Sequence, residues 1–314
     1  MTTDSSDASA HQLAAAARLQ RSRRRWRVVA FLALIVAVLA LAGRFAMEKG
    51  IGGQQIARVD ISGTIGTDRD RVALLKKLGD DSNVKAVLVT INTPGGTTAG
   101  GEELYESLGT LRAKKPVVAV ISELGASAAY MTAIASDRIY ARRLSIVGSI
   151  GVLFETVNAG KLLDTIGIGM EKIASGPLKA EPDINKPMSP EVRASLTALV
   201  TDSFNWFVDI VAERRGLARP DALALADGRI LTGRQALDAK LIDGIGGEDD
   251  AVAWLEAQKH VPHGLPVVKR FPQPDPGWGG VGKWLGSEAR AALGLGPDGP
   301  VALDGLVSLW QVGS

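Results

Sequence analysis

Three short stretches of the chain hold side chains whose types and spacing could do chemistry. Asn92-Thr93-Pro94-Gly95-Gly96 closes an apolar run, and two glycines at the carboxyl end of a strand let a ligand come close to backbone N–H groups. Gly125-Ala126-Ser127-Ala128-Ala129-Tyr130 sets a serine among small residues at the start of a helical pattern, where the helix dipole favours developing negative charge. Ser175-Gly176-Pro177-Leu178-Lys179-Ala180 offers a lone lysine. Taken singly, each has an ordinary reading: a Pro-Gly turn, a helix N-cap and a solvated surface charge. Taken together they supply oxyanion donors, a nucleophile and a base.

Composition narrows the choice of base. The chain has 314 residues and no cysteine, which removes a thiolate nucleophile, a disulfide framework and a cysteine zinc site. Its three histidines are His11, His260 and His263, so none lies in the central stretch. A Ser-His-Asp triad or a two-His metal site inside the main fold is thereby disfavoured, and hydrolytic chemistry has to use another base. No metal or other cofactor is expected.

The elements that must position these residues follow from periodicity. Ile56 to Ile61 alternates like a strand, and Arg71 to Leu78 reads as a short helix. Val84 to Ile91 is a nearly continuous β-branched run, the pattern of a strand buried on both faces. Ala99 to Ala113 is helical, Pro116 to Ile121 is a further buried strand, and Ser127 to Ala135 is again helical. Arg138 to Tyr140, Val152 to Val157 and Met170 to Ala174 read as strands, with a helix over Ala159 to Ile166 between the last two. Strand–helix alternation of this kind predicts an α/β fold with parallel strands. A long amphipathic helix comes after them, capped by Ser189 with Pro190 in its first turn and running to Arg215; its apolar face suits a core or a subunit interface. Gly233 to Ala239 makes one more helix, and from Pro262 the chain changes to Pro and Gly clusters with Trp278, Trp284 and Trp310.

The N-terminus is of a different kind. Net charge is +2, but residues 1–27 carry six arginines against Asp4 and Asp7, which leaves the remainder slightly acidic and without a basic surface for nucleic acid. Val28 to Gly43 is sixteen residues without a polar side chain, and Phe45 to Met47 extend it if Arg44 snorkels. The arginines before it predict a cytoplasmic N-terminus and an exported body. A cleaved signal peptide, with Ala40-Leu41-Ala42 as the processing site, is the competing reading, and a twin-arginine signal a third. The expected organisation is a basic N-terminus (1–27), a transmembrane anchor (28–47), a glycine-rich linker (48–55), a catalytic body (56–257) and an extension of unassigned role (258–314).

With these motifs in order, residues 56–250 resemble the signal peptide peptidase A (SppA) family of serine proteases. The resemblance rests on Asn92 to Gly96 as the oxyanion turn, Ala126-Ser127-Ala128-Ala129-Tyr130 as the nucleophile segment and Val147-Gly148-Ser149-Ile150-Gly151-Val152 as the segment whose serine contacts the lysine. Ser175-Gly176-x-x-Lys179 matches the lysine segment, and Thr232-Gly233-x-x-Ala236 with Leu241-Ile242-Asp243 the closing motif. It implies a ClpP/crotonase-like fold of repeated ββα units preceded by one N-terminal transmembrane helix. It also implies a Ser127–Lys179 dyad, with Ser149 orienting the lysine and the amides of Gly96, Gly95 and Ala128 forming the oxyanion hole. The implied substrates are remnant signal peptides and other extended apolar segments, the implied assembly is a homo-oligomer, and the implied location is the exported, periplasmic side of the bacterial inner membrane. Two departures stand out: Ala128 and Ala129 replace the usual glycine pair, and residues after about 258 match nothing in the family. The alanines motivate a rival reading as a catalytically silent, membrane-tethered scaffold. A crotonase-type acyl-CoA enzyme shares the glycine turn, but an exported location and the lack of an evident catalytic glutamate near residues 125–130 argue against it.

Overall fold

The computed structural model describes residues 29–38, 53–272 and 307–309. Residues 29–38 form a helix, α1, whose apolar side chains are exposed, Phe31 and Val36 among them. Among the described residues no helix is long and apolar enough to cross a membrane. The rest of the anchor expected over residues 28–47, the basic N-terminus and most of the linker lie outside the described residues.

The body begins with β1 (Gln55–Ser62), α2 (Arg69–Asp80), β2 (Val84–Thr93), β3 (Gly95–Thr97) and α3 (Thr98–Arg112). It continues through β4 (Val117–Ala126), α4 (Ala128–Ile134), β5 (Arg138–Ala141), β6 (Ile146–Gly148), α5 (Gly160–Thr165) and α6 (Pro190–Arg215). It ends with α7 (Arg219–Ala224), β7 (Ile230–Thr232), α8 (Gly233–Asp238), β8 (Gly244–Ile245), α9 (Glu248–Gln258), β9 (Val267–Lys269) and the C-terminal β10 (Val307–Leu309). The main sheet runs β7-β6-β4-β2-β1-β9, with β5 beside β4 and β8 beside β5. Its strands are parallel except for the β6–β7 pair.

Side-chain alternation explains why β2 reads as an unbroken apolar run. Val87, Val89 and Ile91 point to the large core formed with Leu104 and Leu108 of α3, Met131 of α4 and Phe207 and Val208 of α6. Ala86 and Leu88 point the other way, into a smaller core with Leu255 and Ala251 of α9. Both faces are therefore covered, as a parallel sheet requires. The segment past residue 258 contributes β9 to the sheet edge, beside Ile56 to Arg58 of β1.

Strand β4 has two successive neighbours. Val118 to Ile121 pair with β5, and Leu124 to Ala126 pair with β6. Ser145 holds the fork: its hydroxyl donates to the Ser122 carbonyl at 2.8 Å and accepts the Arg142 N–H at 3.0 Å. The fork carries β4 past the polar Ser122 and Glu123 as far as the nucleophile candidate. The expected strand ended at Ile121, short of this continuation.

Two expectations are corrected. Residues 152–157 and 170–174 form no strands; the helix between them is present as α5, but the flanking segments pair with no strand of the main sheet among the described residues. β-branched residues there had suggested strands, yet a strand persists only where a neighbour takes up its backbone groups. The stretch is largely exposed, with Val157 at 71% and Ile173 at 103% relative exposure. Helix α6 starts as expected at Ser189, whose side chain accepts the Val192 N–H at 3.3 Å, and it ends at Gly216 in the left-handed region. Its C-terminal part is core, whereas Leu199 near its start is exposed.

Candidate active site

Ser127 stands where β4 hands over to α4, with φ 61° and ψ −122°. A residue with a Cβ rarely adopts that backbone, which costs about 1–3 kcal/mol and persists only where its surroundings enforce it. The surroundings are explicit. The Ser127 N–H donates to the Gly148 carbonyl at 2.9 Å, one rung beyond the β4–β6 ladder, and the Ser127 carbonyl accepts the N–H groups of Tyr130 (2.8 Å) and Met131 (3.1 Å). Ser127 occupies the N-cap position, yet its hydroxyl makes no capping bond to the helix. The N-cap reading of this serine accordingly does not describe it. The residue is 1% exposed.

Helix α4 is held at both ends. The Tyr130 hydroxyl donates to the Leu241 carbonyl at 2.7 Å, and burial pushes its pKa up, so it stays a donor. The Arg214 guanidinium donates to the carbonyls of Ile134 and Ser136, each at 2.8 Å, closing the last turn. Neither residue was singled out from sequence; Tyr130 lies in the nucleophile segment, but nothing local signals the role of Arg214. Alongside, α3 comes close through Gly101. A Cβ there would lie 3.0 Å from the Ala128 Cβ and 2.7 Å from the Met131 sulfur. The extra methyl of Ala128 thus packs towards α3 in the space a glycine leaves.

The glycine turn is built just as tightly. Thr93, fully buried, donates its hydroxyl proton to the Gly63 carbonyl and accepts the Gly95 N–H at 3.2 Å. Gly95 has φ 115°, a conformation open to glycine. Gly96 lies against Ile65, and a Cβ on it would fall 1.8 Å from the Ile65 carbonyl oxygen. Since the Gly95 amide is engaged with Thr93, Gly96 is the glycine of the pair whose amide is turned elsewhere. Thr93 pairs with Gly125 across β2 and β4, so the turn and the Ser127 junction lie at the same end of adjacent strands.

Ser149 comes next to Ser127 through the sheet. Ala126 pairs with Gly148, and each strand then continues into its serine. Ser149 has φ 49°, is 8% exposed, and donates its N–H to the Arg229 carbonyl at 2.8 Å. Lys179 is placed differently. It sits on a turn closed by its own N–H to the Gly176 carbonyl at 3.1 Å, and it is exposed. The fold therefore gathers Ser127, Ser149, Gly95, Gly96 and Ala128 at one end of the sheet and leaves Lys179 on the exposed segment between α5 and α6. Among the described residues no group of histidines and carboxylates could hold a metal ion.

Comparison with known proteins gives a family to this arrangement of a strand–turn–helix serine beside a glycine turn. The model for peptidase family S49 matches residues 110–262. A protein named as a protease in Synechocystis sp. is 38% identical over 203 residues, 64% of this chain and 73% of that one. The chain belongs to peptidase family S49. A protein of Enterococcus faecium that carries the name signal peptide peptidase SppA is 27% identical over 263 residues, 79% of this chain and 75% of that one. Among solved structures, a ClpP1 variant from Listeria monocytogenes superposes with a TM-score of 0.42 at 17% identity, over 62% of this chain and 94% of its own, a similarity too remote to argue from.

Proposed function

We propose that this chain is a membrane-anchored serine endopeptidase with a Ser-Lys dyad, acting on extended apolar peptides such as remnant signal peptides. The observation that carries the proposal is the backbone at Ser127: a strained positive φ at a helix start, with a hydroxyl that does not cap the helix. Strain maintained at a buried serine is the mark of a residue positioned for work. In the proposed reaction the Ser127 Oγ attacks the scissile carbonyl, and Lys179 takes its proton and later returns one to the leaving amine. The amides of Gly96 and Ala128 receive the oxyanion. Ala128 is the first residue of α4, so its N–H has no acceptor within the helix. Ser149 holds the lysine.

A lysine serves as a base only where its surroundings favour the neutral amine, and a solvent-facing loop does not provide them. We therefore include a second copy of the chain in the proposal. The exposed apolar side chains of residues 153–199, among them Val157, Ile173 and Leu178, are the surface that a neighbouring copy covers, and that cover desolvates Lys179. Anchoring by residues 28–47 with the body on the exported side completes the reading. The relative named signal peptide peptidase supports the substrate class.

The test is hydrolysis of an apolar fluorogenic peptide together with labelling by a fluorophosphonate. Ser127→Ala and Lys179→Ala each abolish turnover, the double variant is no worse than either, and Lys179→Arg fails because a guanidinium keeps its proton. Turnover that survives Lys179→Ala refutes the dyad. Absence of labelling in the full-length, assembled protein refutes the enzyme and leaves the scaffold reading.

A further inference from the structure

Strand β3 has two edges, and both are occupied. On one, the Ile65 N–H donates to the Gly95 carbonyl and the Ile65 carbonyl accepts the Thr97 N–H, each at 2.8 Å. Backbone groups alternate in direction along a strand. With the Gly95 C=O and the Thr97 N–H turned towards Ile65, the N–H and C=O of Gly96 face the opposite edge. That edge carries β10, antiparallel, with Val307 opposite Thr97, Ser308 opposite Gly96 and Leu309 opposite Gly95. In an antiparallel pair, a residue whose two groups both face its neighbour exchanges two hydrogen bonds with the residue opposite. Ser308 thus takes up both backbone groups of Gly96.

We propose that the C-terminal segment centred on Ser308 is a built-in strap that occupies the substrate's place on β3 and keeps the site closed until a peptide displaces it. The inference rests on the reading of Gly96 as an oxyanion donor, because the amide that would hold the developing charge is the one β10 engages. The occupant has the chemistry of the proposed substrates. Val307 to Val312, VSLWQV, is an uncharged and largely apolar stretch, and its first three residues lie in extended form where an added peptide strand would lie. Being tethered, the strap needs little intrinsic affinity, since attachment to the body gives it an effective concentration of roughly millimolar. An incoming peptide competes with it. The strap therefore raises the KM for peptides and leaves the chemical step unaltered once a substrate is in place. Extended segments that bind weakly are kept out, and long apolar ones, which add more strand contacts, are admitted.

Two proline substitutions in the full-length chain test this. Ser308→Pro deletes the N–H that bonds Gly96, whereas the N–H of Leu309 faces away from β3, so Leu309→Pro deletes no bond to it. For Ser308→Pro we expect KM for an apolar fluorogenic peptide to fall about fivefold, as loss of one net ladder bond implies, with kcat unchanged and Leu309→Pro close to the parent. A second readout does not depend on activity. In full-length Ser127→Ala protein, adding Ser308→Pro should speed hydrogen exchange in peptides covering residues 93–97, and adding Leu309→Pro should not. Equal exchange in parent and Ser308→Pro overturns the strap, whether or not any peptide is hydrolysed. Absence of hydrolysis in every variant, with the exchange difference present, overturns the enzymatic reading and retains the docked segment. Ser127-dependent loss of residues beyond 306, seen by intact mass, overturns the strap as well, because the segment would then be a consumed substrate.

Discussion

Replacing Gly96 by alanine tests the geometry of the glycine turn apart from any assumption about substrate. The new Cβ would lie 1.8 Å from the Ile65 carbonyl oxygen and 2.5 Å from its carbon and nitrogen, all backbone atoms, so β3 and Ile65 must separate by about 1 Å or more. The two 2.8 Å bonds between Ile65 and β3 cannot survive that separation. Ile65 is 1% exposed, so its backbone groups would be left buried without partners, at roughly 1–3 kcal/mol each. The expected loss is about 3–5 kcal/mol, or roughly a 10 °C fall in Tm for a body of this size. The Gly96 amide moves with the strand, and a misplaced oxyanion donor lowers kcat by about 10²–10³. Gly109→Ala is the control of opposite sign. It lies within α3, a Cβ there meets no heavy atom within 4 Å, and it should raise stability by up to about 1 kcal/mol. Differential scanning calorimetry and peptide hydrolysis on the two variants suffice. A Gly96→Ala protein with parental Tm would refute the close approach at Ile65, and one with reduced Tm but parental kcat would refute the role of its amide.

Three further outcomes are expected. Ser149→Ala should reduce kcat by less than loss of either dyad member and shift the ascending limb of the pH–rate profile, where the base loses its proton, because the base remains but has lost a hydrogen-bond partner; unchanged rate and profile make Ser149 structural. Tyr130→Phe leaves the buried Leu241 carbonyl without its donor, and urea unfolding should show a loss of roughly 1–3 kcal/mol; a neutral change would refute the role of this bond in holding α4. Burial opposes ionisation of Asp60, but hydrogen bonds from Lys269, Thr90 and Arg58 outweigh it and hold its pKa at about 2. A carboxylate with a depressed folded pKa stabilises above its unfolded value and loses that contribution as pH falls, here between about 4 and 2. The stability difference between parent and Asp60→Asn should therefore close across that window, and a difference independent of pH would refute the pairing that ties β9 to β1.

How far the structure was legible in the sequence depended on whether a residue's partner was local. Ser189, Pro190 and Gly216 delimit α6 through their own backbone chemistry, and each stands where its type predicts. The β-branched run of β2 announced burial on both faces, which two cores confirm. Residues 152–157 and 170–174 have similar composition but no neighbouring strand of the sheet among the described residues, and composition carries no record of a neighbour. The continuation of β4 through Ser122 and Glu123 was hidden for the complementary reason: polar residues extend a strand there because β6 pairs with Leu124 to Ala126 just beyond them. At the candidate site, the glycines and Ser127 were visible by type and order. Thr93 and Arg214 were not, since each acts through carbonyls or amides that the fold alone brings near.

The long excursion that carries Lys179 leaves the body after Ile150 and rejoins it in α6, where Phe207, Val208 and Val211 are core, and a later stretch of chain braces the doorway it leaves by. Further along, the Gly228 N–H donates to the Ile150 carbonyl at 3.2 Å, and the Ser149 N–H bonds the Arg229 carbonyl at 2.8 Å. A segment fastened at its base in this way can change length cheaply, since doubling a loop adds only about 0.6 kcal/mol of closure cost. Insertions and deletions among the largely exposed residues 151–189 are thus nearly invisible to the strands behind the doorway. Descendants of this sequence can change length there on either side of the Lys179 turn, and the position of Ser127 need not drift with them.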